Sequence, residues 1–250
     1  NNAMGGVGTA SSHYLTAGFS NPALLTHASE NDNFGFLVPT FGITGADKDG
    51  LVSDLNDFVD SVQSVQDKIT NATVTAGDLA NLSSNLLDLN GKTATANLGA
   101  GFAMAMPSET FAWAIHAHSY ADVHFIAQID PADATRIITA VASNQLDSLS
   151  SEIRVVGVSI TEFGVSMATT FDVGSMRLAV GVTPKFQRID TINYSANVSA
   201  FDDNEFDSDQ YTNDETAVNA NIGATLQVTD ALTMGLMIRD VISNDYLTTG

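Results

Sequence analysis

The sequence predicts an antiparallel β-barrel of the outer-membrane type. Two alternating runs near the C-terminal end, 218–228 and 232–239, meet at a tight turn, Thr229-Asp230. Because successive side chains of a strand point to opposite faces, each run places an apolar row on one face and a small or polar row on the other. Similar runs recur along the chain. Alternating segments of about ten residues joined by short turns are typical of transmembrane strands.

Seven strands are predicted in order along the chain. They cover about 33–44, 93–106, 110–128, 152–171, 176–192, 216–228 and 232–243. The connections alternate between short and long, and the long ones are 45–92, 129–151 and 193–215. Outer-membrane barrels place short turns at the periplasmic rim and long loops outside. A soluble β-sandwich, the alternative, has no physical reason to sort its connections by length in this way.

The long connections are predicted to contain three helices. Apolar residues at helical spacing predict helices over 51–69 and 78–90, and Asp130-Pro131 is a start signal for a third over 131–149. We expect these helices to pack together as a cap over the barrel mouth. The alternative is that their apolar faces form an entrance for a hydrophobic ligand.

Charge and composition exclude several classes of function. The chain has 29 acidic and nine basic residues, a net charge of −20, so it offers no basic patch for the phosphates of a nucleic acid. The acidic run 202–209 is interpreted as a solvated loop rather than a calcium site, because it lacks the ligand order of an EF-hand. No run of eighteen apolar residues predicts a transmembrane helix. The absence of cysteine fits an oxidising envelope compartment.

The N-terminal stretch carries a family resemblance. Residues 3–10 read AMGGVGTA, residues 21–25 read NPALL, and an alternating strand begins at Asn33. This order resembles the FadL-like outer-membrane proteins, and it is most similar to their branch of TraF-like conjugal transfer proteins. Beyond this stretch, only the strand rhythm and the helical connections agree with that family.

The resemblance implies that residues 1–32 form a plug inside a barrel made by residues 33–250. The plug residues would be Gly5, Gly6, Gly8, Asn21, Pro22 and Ala23. Glycine allows close backbone packing, and Asn21-Pro22 favours a turn. Small residues at Gly99, Gly181 and Gly223 would leave room for a chain in the lumen, or would merely let a narrow barrel close on itself.

The strand number carries a further expectation. FadL-like transporters have more strands than the seven predicted here, which argues against a full-size transport pore. Outer-membrane barrels normally have an even number of strands, and an open edge in lipid leaves backbone groups unpaired. We therefore expect the native chain to continue beyond Gly250 with at least one more strand.

Polar residues on the strands are candidates for the lining of a lumen. They are His116, His118, Arg177, Lys185 and Arg239. His116, His118 and His124 share a face and could ligate zinc or copper. However, positions two apart on a strand lie about 7 Å from each other, and no Cys or Glu cluster completes a ligand shell. We therefore predict no metal and no cofactor. No nucleophile, base or paired carboxylates stand out, so the chain is not expected to be an enzyme.

These observations predict an outer-membrane FadL-like channel or transporter for hydrophobic small molecules. The alternative is a non-enzymatic envelope component of a conjugal transfer or secretion apparatus, as the TraF-like resemblance implies. A soluble periplasmic β-protein is a weaker third hypothesis. The expected partners are outer-membrane lipid, a hydrophobic ligand, and envelope or conjugation proteins, without direct contact to nucleic acid.

Overall fold

Seven antiparallel strands, hydrogen-bonded in chain order, form one curled sheet in this computed structural model of the protein. The structure describes residues 8–28, 32–140, 142, 145–199, 201, 210–229 and 231–245. The strands are β1 (Gly35–Ala46), β2 (Thr93–Met106), β3 (Ala112–Gln128), β4 (Glu152–Val173), β5 (Met176–Asn197), β6 (Thr212–Thr229) and β7 (Leu232–Ile238). The mainly β fold with seven antiparallel strands is confirmed. Among the described residues β1 does not pair with β7, so the sheet is a half-barrel.

Strand pairing runs without a register shift from β2 to β6. The pairing of β1 with β2 shifts between Leu37 and Thr40, on either side of Pro39, which has no N–H to donate. Because side chains alternate with period two, an unshifted register fixes the face of every residue on these strands. The short connections lie at one end of the sheet, called here the turn end. The long ones lie at the other, the loop end.

Strand β7 ends earlier than predicted, at Ile238 rather than near 243. The chain continues alongside β6, but the side chains of Asn219 and Asn221 replace part of the backbone ladder. The Oδ1 atoms of these residues accept the N–H groups of Ile242 (3.0 Å) and Asp240 (3.1 Å) respectively. Asp240 has a positive φ of 52°, which interrupts the extended conformation.

One face of the sheet, called the inner face, contacts the N-terminal segment, residues 8–28. This segment consists of the short helix α1 (Gly8–Ser11) and two 3₁₀ helices, Tyr14–Phe19 and Pro22–Thr26. Between them these three elements contact every strand from β1 to β7. The sheet must therefore curl around the segment. The opposite face is called the outer face.

Two of the long connections, 45–92 and 129–151, form a helical layer of α2 (Leu51–Thr70), α3 (Ala76–Asp88) and α4 (Pro131–Ile138). Their apolar sides share one buried core that includes Phe58 and Leu86. Thr75 and Asp78 form a capping box at the start of α3. Hydrogen bonds from Lys68 (2.6 Å) and Thr75 hold the pKa of the Asp78 carboxyl well below its usual range. No helix in the described ranges is both long and apolar enough to span a membrane.

The third helix is shorter than predicted: α4 ends at Ile138, not at 149. The buried carboxylate of Asp133 accepts the N–H groups of Ser150 and Ser151, each at 2.7 Å. A continuous helix would place residue 149 about 24 Å along the axis from Asp133, since each residue advances 1.5 Å. The chain therefore turns back after α4, so that this carboxylate can accept hydrogen bonds from the backbone N–H groups just before β4.

The helical layer packs on the outer face at the loop end, not over the mouth as the sequence suggested. Its core includes Ala127 of β3 and Ile153 of β4, which are paired. The N-terminal segment packs on Ala114 of β3 and Ala168 of β4. Odd and even positions of one unshifted strand point to opposite faces. The two layers therefore cover opposite faces. The apolar sides of the helices are buried in the core of the helical layer, so they do not form an entrance for a ligand.

We predict that Asp133→Asn destabilises the helical layer. The amide cannot accept from Ser150, Ser151 and Arg136 as the carboxylate does, so the free energy of unfolding should fall by about 1–3 kcal/mol. Urea unfolding followed by circular dichroism measures this change. The control Asp60→Asn, on an exposed side of α2, should change stability by less than about 0.5 kcal/mol. Equal effects of both variants would contradict the role given to Asp133.

Candidate functional site

Three glycines on the inner face let the N-terminal segment approach the sheet backbone. A Cβ atom at Gly181 of β5 would lie 2.6 Å from the backbone nitrogen of Ala23. One at Gly235 of β7 would lie 2.4 Å from the carbonyl oxygen of Thr9, and one at Gly223 of β6 would overlap the Asn21 side chain. Gly99, by contrast, faces open space. The glycines on β5 to β7 thus make room for the segment, and Gly99 does not.

Asn21 fixes the segment to the last two strands. Its buried amide nitrogen donates to the carbonyl oxygens of Ala224 (3.2 Å) and Leu236 (3.3 Å), which are paired residues of β6 and β7. The same nitrogen lies 2.8 Å from the carbonyl oxygen of Thr9. The Asn21 Oδ1 atom accepts the N–H of Ala23 and so caps the second 3₁₀ helix. One side chain thus joins two strands, the helix and the start of the segment.

Apolar packing holds the same segment against β2, β3 and β4. Leu24, Leu25 and Tyr14 are buried. They meet a floor of alanines, namely Ala105, Ala112, Ala114 and Ala168. Large side chains on the segment therefore interlock with small ones on the sheet. Complete burial of a leucine side chain contributes about 1.5–3 kcal/mol, so the two leucines are substantial anchors.

His116 is enclosed between the segment and the sheet. A Cβ atom at Gly18 would lie 2.4 Å from its Nδ1 atom, and one at Gly164 would lie 2.6 Å from its Nε2 atom. The Phe19 ring packs edge-on against both His116 (4.9 Å between centroids) and His118 (5.4 Å). The Nδ1 atoms of both histidines are buried without a hydrogen-bond partner in the described part of the chain.

A buried ionic cluster lies beside these rings. The ammonium group of Lys185, with only 3% of its side chain exposed, lies 2.8 Å from Glu162 and 2.7 Å from Asp240. The Gln187 amide donates to the same two carboxylates, and His118 Nε2 lies 3.4 Å from Glu162. Paired carboxylates offset the cost of burying the lysine charge. The cluster joins β3, β4 and β5 to the chain after β7.

The other predicted residues have separate positions. Arg239 donates to the carbonyl oxygen of Phe19 (3.2 Å), so it also holds the segment. Arg177 lies at the turn end in a partly exposed ion pair with Glu109 (3.0 Å). His124 is half-exposed and lies 3.1 Å from Asp122, apart from the other two histidines.

Of the predicted plug residues, Pro22 is buried with Asn21 and Ala23, and Gly8 begins α1. Gly5, Gly6 and the acidic run 202–209 lie outside the described residues.

Several contributing residues were not singled out from the sequence. Gln187, Asn219 and Asn221 are buried on the inner face, where strand alternation places them, but they were not candidates for a site. Gly18 and Gly164 carry no local signal, because their role depends on the position of the His116 ring. Asp240 follows the end of β7 and approaches Lys185 only through the fold. Among the described residues, no three His, Asp or Glu side chains are arranged to hold a metal ion.

Comparison with known proteins identifies a family. Residues 18–250 match the model of the family described as "F plasmid transfer operon, TraF, protein". The match confirms the predicted resemblance to TraF-like conjugal transfer proteins and extends it over all seven strands and the helical layer. The description of this family does not mention FadL-like transporters. No curated protein and no solved structure matches the chain.

We predict that Gly181→Ala and Gly223→Ala loosen the N-terminal segment. The added methyl group would meet backbone or Asn21 atoms, and overpacking of this kind costs about 1–3 kcal/mol. The measurements are the free energy of unfolding and the rate of proteolysis within residues 8–28. Gly99→Ala, which meets nothing within 4 Å, is the matched control and should change neither. A similar loss for all three variants would show that glycine flexibility, not close approach, matters here.

We predict that Lys185→Met is strongly destabilising, because it leaves Glu162 buried without its cation. Breaking a buried ion pair costs about 3–5 kcal/mol, whereas breaking an exposed one costs about 0–1 kcal/mol. Arg177→Met breaks the more exposed pair with Glu109 on the same sheet and is the control. Adding Glu162→Gln to Lys185→Met should recover part of the loss. No recovery in the double variant, measured by urea unfolding, would contradict the charge argument.

Proposed function

The chain belongs to the TraF family of the F plasmid transfer operon, and we propose that it is a non-enzymatic structural component of a conjugal transfer apparatus in the bacterial envelope. The family match supports the conjugal assignment. The observation that carries the structural role is the attachment of residues 8–28 to the inner face of the sheet. Its partners on this proposal are other envelope proteins of the apparatus.

We place the protein in the outer membrane, with its sheet as part of a closed barrel. The outer face supports this location, because large apolar side chains are exposed on it: Phe41 (85%), Leu236 (65%) and Val218 (62%). The inner face carries Lys185, Gln187, Asn219 and Asn221. A sheet that is apolar outside and polar inside, with short turns at one end, has the pattern of outer-membrane barrels. Exposed apolar surface of this extent is uncommon on soluble monomers.

The mode of attachment favours a structural role over a gate. Release of the segment would expose Leu24 and Leu25 and would break the hydrogen bonds of Asn21 and Arg239. It would also uncover the His116 ring, which packs against Gly18 and Phe19. A gate that opens for each passing molecule needs a weaker attachment, because regions that move in function are drawn from the least stable part of a fold.

A FadL-like channel for hydrophobic molecules is the second candidate. One observation favours it: Tyr120 of β3, 46% exposed, lies on the inner face beyond the N-terminal segment, toward the loop end. Ile160 and Ile189 are in register with it and are partly exposed. These three side chains would offer an apolar surface to a ligand that enters from the loop end.

Plasmid transfer and solute uptake, measured in the same donor strain, separate the two candidates. We expect deletion of the gene to lower the transfer frequency and to leave the uptake of hydrophobic compounds unchanged. Complementation with the full chain, recovered in the outer-membrane fraction, should restore transfer. Normal transfer together with impaired uptake would contradict the structural role and favour the channel.

A variant without residues 8–28 refines the test. The structural role predicts low transfer together with raised conductance in planar bilayers, because the inner face loses its filling. The Gly99→Ala chain, which leaves the segment in place, is the control and should behave as the wild-type chain in both assays. Full transfer by the deletion variant would show that the segment is not needed for the apparatus.

A further inference from the structure

The apolar part of the outer face stops abruptly between two rows of paired residues on β3 to β6. The last apolar row consists of Ala117, Phe163, Phe186 and Val218. The next row toward the loop end consists of Ser119, Thr161, Arg188 and Thr216. These two rows are separated by two positions on every strand, about 7 Å. The change from apolar to polar therefore occurs at one level across four strands.

The polar side of this boundary also contains charges. Arg188 pairs with Asp190 (2.9 Å) and lies 3.7 Å from Asp214 on the neighbouring strand. Ser119 and Thr161 share a hydrogen bond of 2.9 Å. An arginine on the lipid face of a barrel costs about 2–4 kcal/mol at the bilayer midplane and about 0–1 kcal/mol near the interface. Arg188 and the two aspartates are thus suited to the interface or to water.

The apolar part has the height of a bilayer core. On β4, β5 and β6 it covers residues 163–173, 176–186 and 218–228, about 11 residues on each strand, and a tilted strand needs 9–11 residues to cross the hydrocarbon. Strands β4 and β5 are 22 residues long. About half of each strand therefore extends past the boundary toward the loop end. On β1 and β2 the apolar side chains of Ile43 and Leu98 extend further, consistent with tilted strands.

The helical layer gives independent evidence for where the apolar, lipid-facing part of the sheet must end. It covers Ile153 of β4 on the outer face, ten positions from Phe163. The exposed side of α2 carries Asp57, Asp60 and Asp67. Carboxylates on a lipid-exposed helix would be costly in the hydrocarbon. The helical layer must therefore lie in water, which places the edge of the bilayer between Ile153 and Phe163.

We infer that lipid hydrocarbon covers only the turn-end half of the sheet, up to the row of Phe163. The loop-end half stands outside the membrane and carries the helical layer on its outer wall. This inference rests on the proposed membrane location. To that location it adds the depth of insertion and the row at which lipid contact ends. It also defines the part of the outer face that remains available to proteins.

Single cysteines test the boundary directly, since the chain has no cysteine of its own. Two matched pairs lie on the same strand and the same face: Val218→Cys with Thr216→Cys, and Phe163→Cys with Thr161→Cys. Ile222→Cys is the deep reference and Ser159→Cys the distant one. Each variant is labelled with an environment-sensitive fluorophore and reconstituted in phosphatidylcholine vesicles with brominated acyl chains. A charged maleimide measures the access of water to each unlabelled cysteine.

We expect brominated lipid to quench the labels at 163, 218 and 222, and to leave those at 159, 161 and 216 bright. The latter three cysteines should react fastest with the charged maleimide. If labels at 159, 161 and 216 are quenched as strongly as the label at 222, the boundary is wrong while the membrane location stands. If no position is quenched and all react with the maleimide, the membrane location itself fails.

Discussion

Unshifted strand pairing from β2 to β6 is the constraint on which the rest of the structure depends. It assigns every side chain of these strands to one of two faces. A slip of one residue would exchange the faces. Val180 or Val182 would then replace Gly181 beneath Ala23, and Lys185 would point away from Glu162. The contacts of the N-terminal segment and the apolar outer face therefore have a single common origin in the register.

The two faces are completed by different parts of the chain, at different ends of the sheet. At the turn end, the inner face is filled by residues 8–28, and the outer face is left apolar and exposed. At the loop end, the outer face is covered by the helical layer, and inner residues such as Tyr120 remain open. Strands of 22 residues make this division possible, because each is long enough to contribute to both cores. Packing and length together explain why the sheet has two layers on opposite faces.

Most of the fold could be predicted from the sequence because its signals are local. Strand alternation identified seven strands, and apolar residues at helical spacing gave α2 and α3 to within two residues. The end of α4 could not be predicted, since it depends on the capture of Ser150 and Ser151 by Asp133. The early end of β7 depends likewise on the side chains of Asn219 and Asn221. For the inner-face site, Lys185 and His116 were candidates, but their neighbours Asp240 and Gly18 are brought near only by tertiary structure.

On the proposed membrane location, one sheet holds the N-terminal segment on its inner face and contacts lipid with its outer face. Nuclear Overhauser effects, measured on a methyl-labelled sample in lipid nanodiscs, test both of these contacts in one spectrum. We expect cross-peaks from the Ile222 and Leu236 methyl groups to lipid acyl chains, and from the Ala23 methyl group to the α protons of Gly181. Cross-peaks from Ala23 to lipid or water, without contact to Gly181, would contradict this arrangement.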